Sequence, residues 1–190
     1  MKLTHIFTRR GTKENRAELA GAGSLNKLVK LIAKQAEAQN PDNYDPNKYK
    51  GDAFEWFAEF FFKQFSTDKL FLNVYDYQPV KGQEYGVDGL GKFTQDITQK
   101  VAVQMKYKQN MSSLLSAEKD NLSNFGVNAM ARYGVELDEK YIIVFTTAKG
   151  ITRATQEGIY FGKVRCINGE LIKKYVDNNP AFWAEFAKAV

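Results

Sequence analysis

The chain of 190 residues has one cysteine, Cys166, and one histidine, His5. A single thiol closes no intrachain disulfide, and one histidine with one cysteine cannot assemble a zinc site of the usual spacing. Cys166 lies in the apolar segment Lys163-Val164-Arg165-Cys166-Ile167 and is read as a buried core thiol, while His5 is given no role. No apolar run approaches the ~20 residues of a membrane-spanning helix. The start, Met1-Lys2-Leu3-Thr4-His5-Ile6, lacks the apolar stretch and small-residue cleavage site of a secretory signal, so a cytoplasmic protein is expected. Internal repeats and low-complexity segments are also missing.

What is present is an ordinary globular composition, 44% apolar and 26% charged, in a length that suits one domain with a real core. Lysine and arginine exceed the acids to give a net charge of +5 and a pI near 9.1. That balance favours a polyanionic partner over an acidic or neutral one.

The first 49 residues read as a helical extension. Its best helix is at 24–34, where Leu25, Leu28, Leu31 and Ile32 share a face opposite lysines. The turn formers of residues 40–47 then mark the boundary of a main domain at 50–190. There Asp52 is the expected N-cap of an aromatic helix containing Phe54, Trp56, Phe57, Phe60, Phe61 and Phe62, which at helical spacing are core residues. Strands are expected at 70–77, 85–93 and 101–108, as a meander, and at 141–145 and 164–167. Helices are expected at 116–133, 152–160, 169–176 and from Asn179-Pro180 onward. The fold class is therefore α/β, with a central mixed sheet of about five strands flanked by helices.

Chemistry concentrates in Tyr85-Gly86-Val87-Asp88-Gly89 and in Val103-Gln104-Met105-Lys106. Strand alternation sends Gln104 and Lys106 to one face and Val103 and Met105 to the other. In a meander Asp88 lies beside them, grouping a carboxylate, an amide oxygen and an ammonium. A hard cation such as Mg²⁺, with Mn²⁺ as a substitute, takes oxygen ligands from Asp88, from the Gln104 side chain or a nearby carbonyl such as that of Met105, and from several waters. Lys106 is then placed to hold a water and offset charge on a phosphate. Glu55 and Glu59 share a helix face; Glu55 is the candidate to reach the metal, and Glu59 is read as solvated.

These segments resemble the PD-(D/E)XK nuclease superfamily, and in detail its Mrr-like restriction endonuclease branch, which pairs a glycine-flanked aspartate with a Gln-x-Lys strand and a glutamate on the preceding helix. The run Tyr141-Ile142-Ile143-Val144-Phe145-Thr146-Thr147-Ala148 and the segment Ile167-Asn168-Gly169-Glu170-Leu171-Ile172 match later parts of that branch in the expected order. The likeness spans residues 50–176. It implies a restriction-endonuclease-like core and metal-dependent DNA cleavage by Asp88, Gln104, Lys106 and Glu55. Gln104 stands where the superfamily more often has a second acid, which lowers the charge available to a metal.

Among the basic residues, Lys108, Lys149 and Arg153 are the candidates for DNA phosphates, the last two being next to the Thr146-Thr147 turn. The resemblance leaves room for a helicase or translocase domain in the same polypeptide and for a homodimer. The alternative from another class is a nucleic-acid-binding or assembly module that has the same fold without turnover.

Overall fold

The computed structural model describes residues 1–81, 85–159 and 162–190. Its N-terminal helices are α1 (Phe7–Arg10), α2 (Lys13–Ala20), α3 (Leu25–Glu37) and α4 (Pro46–Gln64). Polar side chains start them in the expected way: Thr12 accepts from the Asn15 N–H and Ser24 from the Lys27 N–H. The α3 face bearing Leu25, Leu28 and Ile32 is buried.

Helix α4 begins earlier than expected. Asp45, not Asp52, is its N-cap, accepting the Lys48 N–H at 2.8 Å, with Pro46 in the first turn. Proline's fixed φ and the Asp45 cap together start the helix, and Gly51 is carried through its interior at a cost of about 1 kcal/mol. Asp52 therefore sits within the helix, its carboxylate taking the Tyr44 hydroxyl at 2.5 Å and the Lys48 ammonium at 3.2 Å.

The aromatic residues of α4 are core, as their spacing implies. Phe54, Phe61 and Phe62 pack on Phe145 of the sheet, and Trp56, Phe57 and Phe60 on Phe186 of the last helix. Each fully buried phenylalanine is worth ~2 to 3 kcal/mol in area removed from water. Leu3, Phe7, Leu19 and Leu28 belong to this same core, so residues before 50 pack continuously with those after it.

The strands are β1 (Val74–Pro79), β2 (Gly89–Phe93), β3 (Asp96–Lys106), β4 (Leu114–Leu115), β5 (Ile142–Thr146), β6 (Gly150–Ile151) and β7 (Arg165–Ile167). A five-stranded mixed sheet runs β1-β2-β3-β5-β7, antiparallel through β3 and parallel beyond it, while β4 and β6 form a small separate pair. The chain is thus α/β with helices flanking a central sheet.

Several boundaries differ from expectation for local reasons. Residues 70–72 are not strand, because the Asp68 carboxylate gathers the N–H groups of Leu70, Phe71 and Leu72 into a turn. Tyr85 and Gly86 have φ of +48° and +81°, so β2 starts only at Gly89. The expected helix at 116–133 shrinks to α5 (Phe125–Tyr133), since Asp120 folds back onto the Ser116 N–H and Asn121 is left-handed at φ +52°. Residues Thr155–Ile159 form a π-helical turn, and Tyr160 of the helix expected at 152–160 lies outside the described residues. Helices α6 (Gly169–Val176) and α7 (Pro180–Lys188) match, with Asn179 capping α7 through the Phe182 N–H. Cys166 is half-buried rather than a core residue, because β7 is the edge strand. No helix among the described residues is long and apolar enough to cross a membrane.

Candidate active site

Strand directions bring the ends of β1, β3, β5 and β7 and the start of β2 to one end of the sheet. Asp88 is the residue just before β2. Its N–H donates to Val103 O at 2.9 Å and its carbonyl accepts the Val80 N–H at 3.0 Å, fixing it between β1 and β3. Its carboxylate Oδ2 accepts the Met105 peptide N–H at 2.5 Å. The next residue must be glycine, since a Cβ at Gly89 would overlap the buried Tyr77 ring.

Gln104 is 1% exposed. Its Nε2 donates to Asn121 O at 3.2 Å, whereas its Oε1 is buried without a hydrogen-bond partner. An amide oxygen in that state costs roughly 1 to 3 kcal/mol until something satisfies it. Gly86 lies so close that a Cβ there would stand 3.0 Å from Gln104 Nε2. Lys106 ends β3, half-buried, and its ammonium has no ion-pair partner among the described residues.

Asp88, Gln104 and Lys106 together line a cleft of about 450 Å³, closed on the far side by Asn121, Phe125 and Asn128. Val103 and Met105 point the other way, into the core beneath α4, so the alternation read from sequence is what the sheet displays. Tyr85 at the cleft mouth is covered by the Arg132 guanidinium, 3.4 Å from its ring centre.

Glu55 does not line this cleft. It projects from α4, on the other face of the sheet, and its Oε2 lies 3.0 Å from His5 Nε2. The hydroxyl of Tyr77 marks how the two regions meet: burial first, then the charges of Glu55, Asp88 and Glu59, push its pKa well above the usual value.

Glu59 is fully buried, not solvated as its helix position suggested. It accepts from the Thr4 N–H, the Thr4 hydroxyl and the His5 N–H, and pairs with Lys63 at 2.5 Å. It therefore ties residues 4 and 5 to α4. His5, Asp52 and Glu55 place ligand atoms within 4.8 Å of one another, the geometry of a small metal cluster. Their hydrogen bonds describe a different arrangement: His5 Nδ1 accepts the Phe7 N–H, which leaves the proton on Nε2, facing Glu55. Neither His5 nor Glu59 was identifiable from local sequence, since their partners are some fifty residues away.

The three basic candidates fare differently. Lys108 is in an ion pair with the buried Asp120, which makes it a brace of the loop before α5. Arg153 is exposed but pairs with Glu157 at 2.8 Å. Lys149 is exposed at the end of the sheet, and Asn168 holds its carbonyl at 2.9 Å. Comparison with known proteins adds no relative: no protein family, curated protein or solved structure matches the chain.

Proposed function

We propose that the chain is a divalent-metal-dependent DNA endonuclease built on a restriction-endonuclease-like core, similar to the Mrr-like branch of the PD-(D/E)XK superfamily. The observation that carries this reading is the convergence in one cleft of Asp88, the unsatisfied Gln104 Oε1 and the Lys106 ammonium, which has no ion-pair partner among the described residues. An orphaned buried oxygen beside a carboxylate is what a hard cation completes, so these residues fit Mg²⁺ or Mn²⁺. Asp88 and Gln104 would hold it, with the Met105 peptide next to them. When bound, the ion supplies Lewis-acid polarisation of the phosphate.

The chain's own groups do the rest. Lys106 holds the attacking water near the scissile phosphate and offsets the negative charge that grows on it in the transition state. Asp88 is kept in place by the Met105 N–H, so little reorganisation is needed at the moment of reaction. Gln104 is oriented by Asn121, which turns its oxygen away from that carbonyl.

The test is nicking of supercoiled plasmid in Mg²⁺ or Mn²⁺ by wild type and Lys106→Ala, alongside a gel shift in Ca²⁺ and a thermal melt. Cleavage lost with binding and melting kept supports the reading. Cleavage by the variant at the wild-type rate removes it, and DNA binding without cleavage by the wild type favours a binding module instead.

A further inference from the structure

Pro79, Val80 and Lys81 leave β1 at the same end of the sheet as Asp88, one strand away, and Val80 is hydrogen-bonded to the Asp88 carbonyl. Beside them opens a second hollow of about 330 Å³, whose other walls come from residues 4–10 and the first turns of α4. Four cations from three distant parts of the chain converge there: Arg9 and Arg10 from α1, Lys48 from α4, and Lys81. Asp52 is the one carboxylate lining the hollow among the described residues. Its charge is already engaged, by Lys48 at 3.2 Å, by Arg10 at 4.0 Å and by the Tyr44 hydroxyl. Arg9 and Lys81 are exposed and have no ion-pair partner among the described residues.

Gathering four like charges around one concavity is unfavourable unless an anion joins them, and a concave wall concentrates their field. A guanidinium with free N–H groups beside an ammonium matches the tetrahedral oxygens of a phosphate. We infer that this hollow is a phosphate subsite that takes an internal phosphodiester of the nucleic-acid strand, adjacent to the bond addressed by Asp88 and Lys106. The identity of the strand rests on the nuclease reading above; the positive charge of the hollow does not. Residues 1–10 thereby join the binding surface, although the sequence resemblance begins only at residue 50.

The experiment is filter binding of a covalently closed circular duplex in Ca²⁺, across about 50 to 200 mM salt, by wild type and Arg9→Ala/Lys81→Ala. One neutralised phosphate fewer should make the slope of log K against log salt shallower by about 1 and weaken binding by about tenfold at the lower salt. Both side chains are exposed, so the double variant should melt as wild type does; Lys81→Glu alone repeats the test if it does not. Unchanged affinity and slope overturn the inference, as does a wild type that binds no duplex. An effect seen only on linear duplex with a 5′-phosphate also overturns it, since that places a strand end in the hollow. Cleavage assays keep the two readings apart: normal binding by this variant with cleavage lost in Lys106→Ala removes the subsite and keeps the nuclease. Binding lost in the variant with no cleavage by wild type does the reverse.

Discussion

The imidazole of His5 faces the carboxylate of Glu55 at 3.0 Å, joining two residues fifty positions apart. Phe7 N–H on Nδ1 fixes the tautomer that donates to Glu55, and Glu59 anchors the backbone of Thr4 and His5 beneath. In the nuclease reading, Glu55 is thus held by the N-terminal residues instead of being free to swing toward the Asp88 cleft.

His5→Ala should leave the single-turnover cleavage rate close to that of wild type, since Glu55 lies outside the Asp88 cleft, and should lower stability by about 1 to 3 kcal/mol by removing the donor to the half-buried Glu55 carboxylate. His5→Gln, which retains a donor, should recover part of that stability. Thermal melts and single-turnover cleavage check this; cleavage lowered tenfold with melting unchanged would show that Glu55 takes part in the reaction after all.

Glu59→Ala should be among the most damaging substitutions in the chain. It strands the Thr4 and His5 N–H groups and leaves Lys63, 17% exposed, without its partner. Breaking such a buried, hydrogen-bonded pair costs about 3 to 5 kcal/mol, which for a chain of this size lowers Tm by roughly 10 °C. Differential scanning calorimetry measures it; a shift of only a degree or two would mean that water replaces the carboxylate.

Gln104→Glu should raise Mn²⁺ affinity by about tenfold or more, because a carboxylate then occupies the position of the orphaned Oε1. Without metal the same variant should be less stable, as two carboxylates face one small cleft and the donor to Asn121 is lost. Titration calorimetry with Mn²⁺, using Asp88→Ala as the non-binding reference, reads the affinity, and a thermal melt without metal reads the stability; equal affinity in all three proteins would exclude this cleft as the metal site.

Of the basic residues on the β5 side, Lys149→Ala should weaken duplex binding and make its salt slope shallower by about 0.9, whereas Arg153→Ala should do little. Glu157 already neutralises Arg153. Equal effects from the two substitutions would show that the Arg153–Glu157 pair opens on binding.

The Cys166 thiol is pushed up to about 12 by burial. It should react slowly with thiol reagents at pH 8 in the native protein and readily after unfolding. Because the folded state holds this proton more tightly than the unfolded one, whose thiol titrates near 9.0, the associated stability is intact below pH 9 and declines as pH rises from there toward 12. Labelling with a chromogenic disulfide and melts at pH 8 and 10.5 check both statements.

The Asp88, Gln104 and Lys106 arrangement was legible because it follows from a period of two on β3 and from one short meander connection. The α4 core was legible for a similar reason: aromatic residues at helical spacing have few other places to go. The start of α4 was misread because the turn formers at 40–47 obscured a cap and proline at Asp45-Pro46. The helix at 116–133 was overextended because side-chain bonds such as Asp120 to Ser116 compete with helical ones and leave no periodic trace. The roles of His5 and Glu59 depend on tertiary contacts that no window of sequence contains.

The parallel pairing of β3 with β5 has a kinetic consequence. Residues 101–106 make the floor of the cleft, yet their neighbour on one side is a strand about forty positions further along the chain. The β1-β2-β3 meander closes short loops and is expected to form early, while the β3-β5 ladder must wait for a long excursion to be drawn in. Pulse-labelled hydrogen exchange during refolding should therefore find the amides of Leu90 and Gly91 protected before those of Val144 and Phe145, so that the end of the sheet bearing the Asp88 cleft is among the last parts of the molecule to be completed.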